Sequence, residues 1–342
     1  MRKTLLLCVV FLMLCIGNTV FAQALSTPRR GVLRVKVQQE LATQISTLPQ
    51  TRAGGIVMTG ITPLDRANQR VKAVKMERVF PYDPRNEERQ RKHGLHLWYR
   101  VEFDEGFNPL EAKQLYGQVP GVTVAENILP MSLIGGDKGF VVMTESQLKS
   151  MSTRDSEMPF NDPFLNQQWH YSNDGSMAGS VKGADANVFK AWEIATGNKD
   201  LLVAIIDGGV DYLHKDLAAN MWVNEKELNG TPGVDDDGNG FVDDIHGYNF
   251  VTKSGEVFPH DHGTHVAGTV AAVNNNGIGV AGVAGGNGQG GVRMISCQVF
   301  DSRSANADGD FAGAIVYAAN QGAVIAQCSW GWGAPDYFEQ AV

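Results

Sequence analysis

Long hydrophobic runs are scarce in this 342-residue sequence, and a surplus of positive charge is absent. The longest apolar stretch, residues 5–16, falls short of the about 20 residues that a bilayer-spanning helix needs, so no membrane span is expected. Lys and Arg number 29 against 37 Asp and Glu, for a net charge of −8. That balance argues against a nucleic-acid partner, because phosphate backbones are gripped by basic surfaces. The 39 glycines follow no three-residue period, which excludes a collagen-like chain. Cysteine is rare at four, so a disulfide-stapled miniature fold is excluded too. What remains is a globular composition, 43% hydrophobic and 19% charged, in a chain long enough for about two domains.

The first residues read as a targeting segment. Arg2 and Lys3 precede the apolar run, and Val20-Phe21-Ala22 supplies a small-residue cleavage site before Gln23. This order is that of a secretory signal, expected over residues 1–22, and it predicts an exported protein. Cys8 and Cys15 would leave with it. Cys297 and Cys328 each lie in an apolar run that reads as a buried strand, so buried free thiols are expected, although an exported protein could also oxidise them.

Two regions follow, joined by a polar stretch. Residues 146–160 lack strand alternation and run into Pro159 and Pro163, which marks a linker. Ahead of it, residues 23–145 alternate element types. Strand periodicity appears at 31–37, 74–80, 95–103 and 122–125. Thr62 with Pro63, and Asn108 with Pro109, are helix-start signals. The β-α-β-β-α-β order predicts a ferredoxin-like α+β domain. In residues 161–342 the apolar runs are continuous, at 201–206, 294–300 and 323–328, with helical stretches at 266–273 and 312–320. Runs apolar on both faces suit central parallel strands, so an α/β, doubly wound, mostly parallel sheet is expected.

Chemistry concentrates in the second region. Asp207 follows six apolar residues, at the carboxyl end of a predicted parallel strand, where open α/β sheets bind ligands. His262 opens a helix 55 residues later, in Asp261-His262-Gly263-Thr264-His265. A histidine held by a buried carboxylate is the general base of a nucleophilic triad. Gly263 and Gly268 are expected to let that helix approach its neighbours closely. A zinc site at His260, His262 and His265 is disfavoured, because the H-E-x-x-H pattern is absent. Asp235, Asp237 and Asn239 occupy positions 1, 3 and 5 of a calcium-type loop, with Gly240 at position 6. Asp243 or Asp244 would close the shell, since His246 stands where an EF-hand has Glu; a solvated acidic turn is the alternative.

Residues 203–217 and 262–269 resemble the aspartate and histidine motifs of subtilisin-like serine proteases. The resemblance covers roughly residues 160–342. It implies a secreted serine endopeptidase precursor acting on peptide or protein substrates, with Asp207 orienting and His262 as general base. His265 would be a structural second histidine. It also implies a second structural calcium site from Asp216 and Asn275, and a substrate-pairing segment at Ser329, Trp330 and Gly331. Residues 161–169 resemble the mature N-terminus, so residues 23–145 would be a propeptide, an intramolecular chaperone and inhibitor, with processing near 145–160. The family's Gly-Thr-Ser-Met-Ala segment and oxyanion asparagine do not occur in these residues. The serine is therefore expected beyond Val342, and the 342 residues alone are expected to be inactive. Ser329 lacks the strained turn of a nucleophile and is rejected. The alternative is a catalytically inactive calcium- or peptide-binding remnant.

Overall fold

The computed structural model describes residues 28–48, 50–133, 158–176, 179–301, 303 and 309–331. The expected leader (1–22) and most of the expected linker and processing region lie outside these residues. The chain divides into two units, one of residues up to Ser132 together with 330–342, the other Leu133–Ser329.

The first unit is built on β1 (Val32–Val37), whose Leu33, Val35 and Val37 point into the core while Arg34 and Lys36 alternate outward. Helix α1 (Gln39–Thr47) follows, then a small hairpin of β2 (Thr51–Ala53) and β3 (Ile56–Met58). Helix α2 (Thr62–Val71) buries Leu64, Ala67, Asn68 and Val71 on one face, the spacing of an amphipathic helix. Its N-cap is Ile61 rather than Thr62. The turn is fixed instead by Asp65, whose carboxylate accepts the Thr59 and Gly60 N–H groups at 2.6 and 3.1 Å. Next come β4 (Lys75–Arg78), α3 (Glu87–Lys92), β5 (Trp98–Glu102), α4 (Pro109–Gly117) and β6 (Val122–Asn127). Asn108 caps α4 as its sequence suggests, accepting from Leu110 and Glu111 N–H. The alternation of 95–103 does not make one strand: Gly94, at φ 70°, turns residues 95–97 into a 3-10 turn first.

The sheet order is β4-β5-β1-β6, with antiparallel pairs throughout. That is the split βαβ arrangement expected of a ferredoxin-like domain, with α1, α3 and the hairpin added. Asn68 and Tyr116 tie α2 to α4 beneath it, Tyr116 Oη donating to Asn68 Oδ1 at 2.6 Å while Asn68 Nδ2 donates to Val57 O.

A two-residue pairing joins β7 (Ser132–Leu133) to β12 (Trp330–Gly331), which groups residues after 329 with the first unit. In the second unit, α5 (Val188–Trp192) packs its Trp192 against Phe160 and Tyr171. The central strand β8 (Leu202–Gly208) is buried at every residue. After α6 (Glu225–Leu228) come β9 (Gly247–Asn249), α7 (Asp261–Ala271), β10 (Arg293–Phe300), α8 (Phe311–Asn320) and β11 (Ile325–Gln327). The sheet is parallel in the order β11-β8-β10-β9. Ala267 and Ala271 of α7 pack on Val203 and Ile205 of β8. Cys297 is in register with Ile206, on the opposite face of the sheet.

That register settles the cysteines. Cys328 follows Gln327, which pairs with Ile205, so Ile206 lies between the two cysteine positions. Two strand spacings of about 4.8 Å separate the Cα atoms by more than a disulfide can span. Both thiols are free, and Cys328 is exposed rather than buried. Edge strand β11 likewise exposes Ile325. Among the described residues no helix is long and apolar enough to cross a membrane.

Candidate active site

Five apolar residues, Leu202 to Ile206, carry β8 through the middle of the sheet and deliver Asp207 to its carboxyl end, inside the strand rather than after it. Asp207 is fully buried. Its Oδ1 accepts the Nδ1–H of His262 at 2.6 Å and the Gly208 N–H at 2.7 Å. Oδ2 is buried with no hydrogen-bond partner among the described residues. Burial raises the Asp207 carboxyl above its usual range, opposed by the hydrogen bond and charge of His262. Because a carboxylate only accepts, the imidazole proton sits on Nδ1, and Nε2 of the neutral ring keeps a lone pair. This is the tautomer that a general base requires.

Helix α7 places that imidazole. Its second residue is His262, and its third, Gly263, touches the strand backbone: a Cβ there would lie 2.1 Å from Gly208 O. Gly268, by contrast, faces open space, so only one of the two helical glycines serves close approach. Gly209 plays the matching part on the strand side, where a Cβ would meet Phe258 O at 1.9 Å. The segment leading into α7 is clamped across both strand ends. Gln298, buried on β10 in register with Asp207, accepts the Phe258 N–H at 2.9 Å, and the His260 N–H donates to Gly209 O at 2.7 Å. Thr264 Oγ1 accepts the Asp211 N–H at 3.0 Å, and Ser296 Oγ the Val210 N–H at 3.2 Å. His265 is exposed, with its imidazole held below the usual range by partial desolvation and by His262.

Among the described residues, oxygens of Glu227, Asp237 and Asp244 lie within 4.8 Å of one another. Asp235 is occupied with the N–H groups of Asn239 and Gly240, and Asp243 with that of Gly233. Asn239 Oδ1 accepts the Phe241 N–H, while its amide donates to Asp244. Glu227, on the short helix α6, accepts N–H groups from Asp236, Asp237 and Asp243. Asp244 is fully buried and takes hydrogen bonds from Tyr317, Asn224, Asn239 and Gln321. Burial pushes its carboxyl up to about 7. Three convergent carboxylates offer the oxygen donors that a hard divalent cation takes.

Asp216 Oδ1 accepts from Asn276 Nδ2 at 2.8 Å, and Oδ2 from Val280 N–H. Asn275 Oδ1 accepts Asn161 N–H and its amide donates to Asn287. Buried Asp162 accepts the Asn275 and Asn276 N–H groups. Burial raises both Asp162 and Asp216, and the Asp216 charge adds to the rise at Asp162. Ser329 Oγ is bonded by Gln327 Nε2 at 2.9 Å, just before β12.

Comparison with known proteins points one way. The "Subtilase family" description matches residues 198–342, and "N-terminal of Subtilase family" matches residues 33–175. "Subtilisin-like protease 1" of Plasmodium berghei is 37% identical over 166 residues, covering 47% of this chain and 25% of that protein. "Neuroendocrine convertase 2" of Bos taurus is 37% identical over 135 residues, covering 40% of this chain and 19% of that protein. The solved Aeromonas sobria serine protease, in complex with its chaperone, is 28% identical over 44% of this chain and 22% of that chain, at a TM-score of 0.32. The chain thus spans about a quarter or less of the length of the curated relatives it matches. With two matched regions in the order that its two units occupy, the chain belongs to the subtilase family, carrying that family's N-terminal domain ahead of a domain that bears Asp207 and His262.

Proposed function

We propose that the chain is the front part of an exported serine endopeptidase precursor that hydrolyses peptide bonds through an Asp-His-Ser triad. The observation that carries this reading is the 2.6 Å hydrogen bond from His262 Nδ1–H to buried Asp207. The serine, contributed by residues after Val342, gives its proton to His262 Nε2 as its oxygen attacks the scissile carbonyl. His262 then returns the proton to the leaving amine. Asp207 stays ionised, holds the tautomer and stabilises the imidazolium. Ser329, Trp330 and Gly331 pair with the substrate backbone as an added strand; the extended conformation of 330–331 supports this role.

Residues 23–145 are the propeptide, folding aid and inhibitor in one, removed by cleavage between 145 and 160. Calcium is the structural ion. Asp235, Asp237, Asn239, Asp243 and Asp244 would hold it at the acidic loop, with Glu227 converging on Asp237 and Asp244, and Asp216 and Asn275 would form a second site beside Asp162. The cation supplies the charge that lets these buried acids ionise together.

The test is to extend the reading frame past Val342, express the product and assay a fluorogenic peptide mixture beside Asp207→Asn and His262→Ala. Turnover in the unaltered protein that falls by about 10⁴-fold or more in both variants supports the reading. A stop codon directly after Val342, or turnover that survives His262→Ala, overturns it and leaves the inactive binding remnant.

A further inference from the structure

We propose that His260 is a positioning residue for His262, and that it serves in this role only while uncharged. The proposal rests on the peptidase reading above. His260 occupies the N-cap of α7, with extended backbone at φ −127° and ψ 134°. Caps are usually Ser, Thr, Asp or Asn, whose side-chain oxygens accept an N–H of the first turn. Here the acceptor is His260 Nδ1, 3.1 Å from the backbone nitrogen of His262 itself. A ring nitrogen accepts only with a free lone pair, so the His260 proton sits on Nε2 and the ring is neutral.

The ring has little room to move. A Cβ on Gly208 would lie 2.6 Å from His260 Cγ, so the imidazole lies flush against the strand residue that follows Asp207. The main chain of residues 258–260 is clamped by Gln298 and by Gly209 O. Protonation is the freedom that remains. The same Nδ1 lies 3.2 Å from Asp261 Oδ1, and that oxygen already shares the His262 N–H at 2.8 Å. Once Nδ1 carries a proton it becomes a donor, turns that hydrogen to Asp261 and gives up the His262 N–H.

Two effects on His262 follow from one proton. The first turn of α7 loses an acceptor. A cation also appears beside the imidazole that must itself become positive when it accepts the serine proton, and like charge opposes that step. The groups facing His260 are Asp207 from β8, and Asp261 and His262 from α7. Beyond the end of β10, Arg303 lies over the Phe258 ring, 3.3 Å from its centroid, and is paired with Asp301. The His260 ring remains partly reachable by water, with 19% side-chain exposure.

The experiment follows the His262 amide by hydrogen exchange and the imidazoles by NMR in the histidine-labelled 342-residue chain. It compares the unaltered chain with His260→Asn, which keeps an uncharged acceptor at the cap, and His260→Ala, which removes it. After correction for intrinsic exchange, protection of the His262 amide is expected to fall about fivefold as the His260 ring takes up its proton, the size of one lost cap. It should stay flat in His260→Asn and be low throughout in His260→Ala. A flat profile in the unaltered chain across the His260 titration overturns the proposal; should His260→Ala not fold, the His260→Asn comparison still decides. In the extended active protein, the acid limb of kcat/KM is expected to have slope 2, falling to slope 1 in His260→Asn. Absence of any turnover would sink the peptidase reading while the exchange profile still judged His260.

Discussion

Replacing Gly263 with Ala puts a methyl group where α7 meets β8. Its carbon would start 2.1 Å from Gly208 O and 2.6 Å from Gly208 C, both backbone atoms that cannot swing aside. Ordinary contact begins near 3.4 Å, so helix and strand must separate by about 1 Å. The bond between His262 and Asp207 spans the same seam at 2.6 Å, and a shift of that size would take it to about 3.6 Å, outside hydrogen-bond reach. Overpacking of this kind costs about 1–3 kcal/mol of stability, and a 1 Å misplacement costs about 10²-fold in rate. Gly268→Ala in the same helix meets nothing within 4 Å and should be neutral to stabilising by about 0.5–1 kcal/mol. The assay is urea unfolding of both variants, alongside the downfield Nδ1–H proton signal of His262. The reasoning requires a gap of about 1–4 kcal/mol between the variants and loss of the signal in Gly263→Ala alone. Equal midpoints with the signal intact in both would refute it.

Two further outcomes test the surroundings. Glu227→Gln should cut the stabilisation gained on adding calcium, which for one site at a hundredfold excess over Kd is about 2.7 kcal/mol; an unchanged calcium increment over an EDTA control would remove Glu227 from the cation site. The Arg303 hydrogen bonds hold the Asp301 carboxyl below its usual 3.8, so the folded state binds that proton less tightly than the unfolded state. The stability this confers is complete above about pH 3.8 and is lost as pH falls through the lowered value, so Asp301→Asn should flatten the acid side of the stability profile; an identical acid slope would count against the pairing.

The Asp207–His262 pair was legible because its chemistry is written in contiguous residues. An apolar run that ends on an acid places that acid at a sheet's carboxyl edge, and β8 does so after five of the six apolar residues. The helix-bearing motif around His262 lies at the start of α7 as its glycines and histidines suggest. The ferredoxin-like order was legible from strand alternation and helix-start signals together: β1 keeps its period over six residues, and Asn108 caps the helix ahead of β6. Less visible were α1, α3 and the 51–58 hairpin. Helix α3 is six residues of almost entirely charged sequence, held by Arg78 and Arg91 on Glu87, and has no apolar stripe to show its period. Gly268 was misread for a related reason: two glycines on one helix look alike in sequence, and only the position of Gly208 tells them apart.

Partners contributed from a distance were the part no local pattern could reveal. Spacing along the loop points to Asp235, Asp237 and Asn239, and Asp235 and Asp243 also accept backbone N–H groups that the loop's own turns expose. Glu227, eight or more residues upstream on a four-residue helix, converges with Asp237 and Asp244, which no spacing announces. Near Asp216, Asn276 donates to the carboxylate, and Asn275, in left-handed backbone (φ 59°), accepts the Asn161 N–H. Beside Asp207 and His262 the remote partner is Gln298. It is an uncharged residue in the middle of an apolar strand, where sequence offers only the expectation of a core position. Its amide is satisfied at both ends, accepting from Phe258 and donating to Phe300 O, so the cost of burying it is offset while it ties the lead-in of α7 to the sheet. Asp207 and His262 thus meet through a strand, a helix and a clamp, and only the first two announce themselves in the order of residues.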